Sequence, residues 1–284
     1  MQLDLVDVFG AQPLRGNPLA VVRGGDALSA EQMLALTRWL GFSETTFLLP
    51  PTDPAADYRV RIFYPAGELP FAGHPTLGSA RAWRAAGGVP RTAGTIVQEC
   101  GVGLVEVREE GETLAFRAPP LRRAGALSDE ERAAAIRIAG VRAEQVVDAV
   151  HADNGPGWQL LMLRSAADVL AAEPVARASV PTDIGLVGPC PPGSAAAWEV
   201  RAFFARPDGT LAEDPVTGSL NAAIALALVE RGDPGVAGEG GGYVAAQGRK
   251  VGADGRISVR RQADGVWIGG RADMVSRDGM LQFG

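Results

Sequence analysis

The sequence predicts an α/β (α+β) chain of two related domains, each a mixed sheet wrapped around a buried central helix. Three observations carry this. The first is Gly67–Ala80, Gly-Glu-Leu-Pro-Phe-Ala-Gly-His-Pro-Thr-Leu-Gly-Ser-Ala, which follows an apolar strand and ends in a helix start. The second is that it recurs: with Pro75 set on Pro215, an offset of 140, residues 61–85 and 201–225 share eight identities over 25 positions. Alanines account for three of them; Arg61/Arg201, Phe63/Phe203, Pro75/Pro215, Gly78/Gly218 and Ser79/Ser219 share one ungapped register. A period this long means duplicated domains, not a solenoid. The third is the second copy's helix, apolar all round from Ala222 to Val229 and therefore interior.

The elements follow in order. Leu3–Phe9 alternates as an opening strand, Arg15-Gly16-Asn17-Pro18 turns, and Leu19–Val22 is a second strand. Ser29 caps a helix carrying Met33, Leu34, Leu36, Trp39 and Leu40, closed by Gly41. Trp39 and Trp83 read as core. Ser43-Glu44-Thr45 runs into an apolar strand, a proline-rich loop follows, and Tyr58–Tyr64 is a strand. Pro75, with fixed φ and no N–H, suits the first helical position, which leaves His74 extended at the helix mouth. Gly87-Gly88 stops that helix. Thr95–Val107 and Leu114–Phe116 read as strands, and Ala118-Pro119-Pro120 as a linker, giving domains of residues 1–120 and 121–284 with the last strand free to return to the first. In the second domain Ser128 opens a helix with an acidic first turn. Strands at Trp158–Leu163, Val180–Val187 and Trp198–Phe204 precede the helix from Pro215, and strands resume at Tyr243.

Composition narrows the chemistry. Net charge of −6 without a basic cluster argues against nucleic acid. No apolar run reaches the roughly 18 residues that would cross a bilayer, and the N-terminus lacks a basic signal-peptide region. Two cysteines, Cys100 and Cys190, form neither a disulfide framework nor a metal spacing, so a reduced, cytoplasmic protein is expected and both thiols read as inert. With two histidines, His74 and His151, a catalytic zinc is not expected, and with one lysine a Schiff-base cofactor would have to hang on Lys250; no cofactor is expected. Acids, histidine and backbone dipoles remain.

Three side chains are candidates for that chemistry, each with a plain structural reading beside it. Glu44 is either an exposed turn residue or a half-desolvated carboxylate with raised proton affinity. His74 is either a packed structural residue or a neutral proton relay, since a helix N-terminus disfavours imidazolium and histidine is a poor cap. Asp214, before Pro215, reads first as a helix N-cap. Gly73 and Ser219 lie at the two helix mouths, where backbone N–H groups suit a carboxylate; Ser219 serves equally as a small packing residue.

The chain resembles the PhzF family of phenazine-biosynthesis-like proteins. The resemblance rests on Val6-Asp-Val-Phe with Gly16-Asn-Pro, Ser43-Glu44-Thr45, Glu68-Leu-Pro-Phe-Ala-Gly-His-Pro-Thr-Leu-Gly, Glu213-Asp-Pro-Val-Thr-Gly-Ser219, and Gln247-Gly248 with Gly269-Gly270. It implies two pseudo-symmetric domains of diaminopimelate epimerase-like fold, each a curled sheet around a helix, with an active site in the cleft between them. The epimerase carries a cysteine at each helix mouth; here those places hold Ala72-Gly73-His74 and Glu213-Asp214, so two-thiol racemisation is not supported. The resemblance implies a cofactor-independent isomerase, a homodimer acting on a small anionic substrate, with Glu44 as proton shuttle, His74 and Asp214 beside it, and Ser43, Gly73, Gly218 and Ser219 binding the substrate. A racemase or epimerase using Glu, His and Asp, and a non-catalytic binding protein, are the alternatives.

Overall fold

The computed structural model describes residues 1–282. Its chain divides into two compact units, one of Met1–Arg117 plus the segment from Gly269, the other of Ala118–Ile268. The first unit contains β1 (Gln2–Val8), β2 (Asn17–Arg23), α1 (Ala30–Leu40), β3 (Thr45–Leu49), β4 (Tyr58–Tyr64), β5 (Gly67–Leu69), α2 (Gly73–Ala85), β6 (Thr95–Cys100), β7 (Gly103–Glu110) and β8 (Thr113–Arg117). Next come α3 (Asp129–Ala139), β9 (Val146–His151), β10 (Gln159–Leu163), α4 (Ala166–Ala171), β11 (Asp183–Pro189), β12 (Trp198–Ala205), β13 (Leu211–Asp214), α5 (Gly218–Glu230), β14 (Gly242–Gln247), β15 (Gly255–Gln262) and β16 (Gly265–Met280). Up to Ile268, β16 belongs to the second unit; its remainder pairs antiparallel with β1 in the first.

Leaving α3 aside, the two series match one for one, β1 to β8 with its two helices against β9 to β16 with its two. So do the pairings. β1–β2 and β9–β10 are antiparallel, β2–β3 and β10–β11 parallel, β3–β4 and β11–β12 antiparallel. After the central helix, β6 joins β4 in parallel as β14 joins β12, and β7 or β15 folds back antiparallel. Apart from α3, the duplication therefore covers the run of strands and helices in both halves of the chain and not only the 25 positions that the sequence shows.

Each central helix is interior. In α2, every residue from Gly73 to Ala80 is buried, and the helix packs on β1, β2, β3 and β8. Close approach needs a glycine in both units. A Cβ on Gly78 would lie 2.4 Å from Leu19 of β2, and one on Gly185 of β11 would lie 2.4 Å from Leu220 of α5. Helix α1 behaves as a surface helix: Ser29 and Gln32 form a capping box, Gly41 takes the left-handed conformation, and Met33, Leu36 and Thr37 are buried. Trp39 falls off that stripe and is 80% exposed, so it is not a core residue; Trp83 is half-buried and stacks on Tyr58. The single strand expected over Thr95–Val107 is a hairpin, turning between Cys100 and Gly103.

The repeat register needs one correction. Phe63 of β4 faces Glu68, but Phe203 of β12 faces Glu213, so the second hairpin is five residues longer. The offset is 140 on the strands and 145 from the hairpin onward. Gly73 thus corresponds to Gly218 and His74 to Ser219, while the identities at Ala72, Pro75, Gly78 and Ser79 fall out of register. Helices α2 and α5 are each 13 residues long and begin at Gly73 and Gly218, not at the prolines. Pro75 is the third helical residue, still within the turn whose N–H groups have no intrahelical partner.

The second unit also buries a carboxylate that the reading of the sequence passed over. Glu199 of β12 is 0% exposed, and its nearest cation is Arg249, Nη2 to Oε2 at 3.3 Å. Burial outweighs the nearby arginines and pushes its pKa up from 4.5 to about 7. A raised acid pKa means that the folded state binds more protons than the unfolded one between those values, so stability falls as pH rises through that window. At about 1.4 kcal/mol per pKa unit the loss is on the order of 3 kcal/mol. Urea unfolding of Glu199→Gln is expected to lack this decline between pH 4.5 and 8; an unchanged pH slope would rule out the buried acid as its source.

Candidate active site

The first unit gathers Glu44, His74 and Asn17 from three different elements. Glu44 is the residue before β3, with its side chain 18% exposed, and Ser43 precedes it, half-buried. His74 is the second residue of α2, helical rather than extended, and 4% exposed. Asn17 opens β2 and is buried. A turn held by Asp7 delivers it: the Asp7 carboxylate accepts from the backbone N–H of Arg15 at 3.1 Å and of Gly16 at 2.8 Å. Gly16 has no room for a Cβ, which would sit 2.1 Å from the Val8 carbonyl oxygen.

Asn17 lies beside the histidine, its Nδ2 3.5 Å from His74 Nδ1; with that amide nitrogen as donor, the ring proton is assigned to Nε2. That Nε2–H faces Glu44 Oε2 at 3.7 Å, beyond hydrogen-bond range. The gap leaves a neutral donor and a carboxylate side by side. Burial lowers the His74 pKa from 6.5 to about 3, so the imidazole is neutral at pH 7. Unfolding would let it take a proton below pH 6.5, so stability is full above that value and lost as pH falls toward 3. The loss attributable to this ring is on the order of 4–5 kcal/mol. His74→Gln is expected to unfold with a flatter acid dependence between pH 7 and 4; a slope equal to the wild type's would show that the ring is not buried neutral.

Behind the histidine, α2 is fixed through polar side chains. Ser79 donates to Thr46 at 2.9 Å, Gln98 Nε2 donates to Thr76 Oγ1 at 3.0 Å, and Thr76 donates to the Ala72 carbonyl at 2.9 Å. The N-cap is Ala72, with no side-chain cap, so the helix mouth presents bare backbone at Gly73.

The second unit builds its own helix mouth from Asp214, Thr217, Gly218 and Ser219. Asp214 is not the N-cap of α5. It ends β13, and the N-cap is Thr217, whose hydroxyl donates to Asp214 Oδ2 at 2.6 Å. Ser219 is the second helical residue, the counterpart of His74; its Oγ accepts from Trp158 Nε1 at 3.2 Å and its carbonyl from Asn154 at 2.8 Å. Gly218 is buried as the first helical residue. The reading of the sequence missed Asn17, Thr217 and Gln247, which are buried polar side chains bonded to predicted site residues. The segments quoted for the family resemblance contained all three, and Asn17 was also read as a turn residue, none with a role assigned.

A duplicated sheet-around-helix unit, with a carboxylate beside a neutral histidine at one helix mouth and no cysteine at either, has the architecture of the epimerase-like proteins. The chain belongs to the PhzC-PhzF family of phenazine biosynthesis-like proteins, whose profile matches residues 6–278. It is 34% identical to a trans-2,3-dihydro-3-hydroxyanthranilate isomerase of Pseudomonas chlororaphis over 80% of each chain. It is 40% identical to antisense-enhancing sequence 1 of Schizosaccharomyces pombe, over 60% of each chain. A predicted epimerase from Pseudomonas aeruginosa shares its structure with a TM-score of 0.75 at 29% identity, covering 99% of both chains. The protein is an enzyme of the isomerase class. Among the described residues, no helix is long and apolar enough to cross a membrane.

Proposed function

We infer that the chain moves a proton within a small carboxylate-bearing metabolite, without a cofactor, by a 1,3 transfer. Glu44 takes the proton from an activated C–H, the electron pair shifts along the adjoining double bond, and Glu44 returns the proton at the far carbon. Substrate and product are then isomers with no atom gained or lost. Activation is required, because a single carboxylate base does not reach an unactivated carbon. His74, neutral, polarises the substrate through Nε2–H, with Ser43 and Gly73 as binding groups of the first unit; in the second unit Gly218 and Ser219 suit a carboxylate and Asp214 a polar group. The observation that carries the reading is the Glu44 carboxylate lying 3.7 Å from a histidine that burial keeps neutral. In that place a carboxylate takes and returns the proton while the neutral ring donates through Nε2–H.

The first substrate to try is trans-2,3-dihydro-3-hydroxyanthranilate, for which the Pseudomonas chlororaphis relative is named. Conversion to a product of shifted double bonds, followed by absorbance and NMR, is the expected result. Inversion at one carbon with the double bonds retained would make the enzyme an epimerase. Binding without conversion would make it a binding protein. A homodimer is proposed as well; light scattering at micromolar concentration that returns the 29.5 kDa monomer would reject it.

A further inference from the structure

The buried side chain with the most hydrogen bonds near Asp214 is Gln247, the last residue of β14. Its Oε1 accepts from the Thr217 backbone N–H at 3.1 Å and from Asn221 Nδ2 at 2.9 Å. Its Nε2 donates to the Asp214 carbonyl at 3.1 Å and to Thr217 Oγ1 at 2.8 Å. The backbone leaves one orientation for this amide. A backbone N–H can only donate and a carbonyl can only accept, so Oε1 must face Thr217 N and Nε2 must face Asp214 O. Asn221 is fixed likewise, because its Nδ2 also donates to the Thr217 carbonyl at 2.9 Å.

Direction then propagates. Thr217 Oγ1 receives a proton from Gln247, so the one proton of its hydroxyl goes to the only other partner described for that oxygen, Asp214 Oδ2 at 2.6 Å. A hydroxyl donor to a carboxylate at this distance is a charge-assisted bond. We propose that Gln247 is a positioning residue of the active site: through Thr217 it holds the Asp214 carboxylate in one rotamer as an acceptor, with Oδ2 committed.

The first unit supplies an internal contrast. There Gln98 accepts from Tyr58 at 2.9 Å and donates to Thr76, and Thr76 donates to the carbonyl of Ala72. In the corrected register Thr76 corresponds to Asn221 and Ala72 to Thr217. A strand glutamine braces each central helix, but in the first unit the chain of bonds ends on backbone. Only in the second does it end on a carboxylate, where Leu69 is the counterpart of Asp214. The bracing is scaffold; its extension to Asp214 is specific to the site.

The proposal rests on the reading of Asp214 as a substrate-binding group, and the experiment separates the two. Thr217→Val removes the hydroxyl at constant shape, Thr217→Ser keeps it, and Gln247→Met removes the donor to it. The substrate-free arm detects the buried Thr217 hydroxyl proton by NMR and its correlation with Asp214 Cγ across the hydrogen bond. That correlation is expected in the wild type and in Thr217→Ser, and lost in Gln247→Met with Thr217 intact. Its survival in Gln247→Met overturns the relay, as does its absence from the folded wild type. If Gln247→Met does not fold, the Thr217 pair decides: the correlation must return in Thr217→Ser. The second arm uses trans-2,3-dihydro-3-hydroxyanthranilate. Thr217→Val and Gln247→Met are expected to lose roughly 10- to 100-fold in kcat/KM, Thr217→Ser to recover most of it, and both losses to vanish in an Asp214→Asn background. Equal losses in that background overturn the positioning role. A wild type inactive on this compound counts against the substrate, and the NMR arm then decides the relay alone.

Discussion

Glu44→Gln is expected to lower kcat by roughly 10²–10⁴ with little change in substrate affinity, the usual worth of a positioned acid/base group. The substitution keeps the size of the side chain and its place before β3 but removes the base. In barrier terms the loss is about 3–5 kcal/mol. Glu44→Asp keeps a carboxylate and withdraws it by one methylene, away from a histidine already 3.7 Å distant, so part of the activity should survive. Stability should barely move, because Glu44 lies outside both helices and strands. A variant that loses activity only by unfolding, seen as a matching fall in Tm, would point to a structural residue. Comparing kcat and Tm for the pair of variants separates the two.

The second large effect concerns stability, and the duplication supplies its control. Arg201 of β12 makes a bidentate pair with Glu213 of β13, at 3.0 and 2.7 Å, and its Nη1 donates to the carbonyls of Val169 and Ala172. Both side chains are below 10% exposed. Arg61 makes the same pair with Glu68 in the first unit, at 2.8 and 2.6 Å, but those side chains are 29% and 41% exposed. Each guanidinium also lies over the phenylalanine two residues on, at 5.0 Å for Phe63 and 4.8 Å for Phe203. Breaking a buried pair leaves an uncompensated charge and costs about 3–5 kcal/mol, whereas an exposed pair is worth about 0–1 kcal/mol. Arg201→Met is therefore expected to be the severe substitution and Arg61→Met the mild one in urea unfolding at pH 7. Similar losses for the two would show that burial does not set their worth.

These two arginines also explain how far the sequence could be read. Arg61/Arg201 and Phe63/Phe203 are identical because both units need the same strap across a strand pair, and such identities survive at a fixed offset. The five extra residues of the second hairpin were invisible, since alanine, glycine, serine and proline matches filled the wrong register beyond it. Proline's fitness for a first helical position placed both helix starts on prolines, and the register agreed; Asp214, before Pro215, then read as a cap. The true caps, Ala72 and Thr217, make no side-chain cap bond, so no capping signal existed to correct it. Glu44 and His74 were legible one at a time, by chemistry and by family motif, but nothing in a separation of 30 positions says that a sheet and its central helix bring them together. Asn17 and Gln247 are harder still. Each is an ordinary polar residue in a strand whose role comes from burial and from the partner that the fold sets opposite it.

The role of Glu44 is tested most directly by where a solvent proton goes. Wild-type enzyme and Glu44→Gln would be incubated in deuterium oxide with trans-2,3-dihydro-3-hydroxyanthranilate, and the product carbon examined by NMR and mass spectrometry. The wild type is expected to give an isomerised product with deuterium at the carbon that receives the proton, and Glu44→Gln neither isomerisation nor label above background. Isomerised, labelled product formed equally fast by Glu44→Gln would exclude Glu44 as the base, which would then be sought at His74 or Asp214.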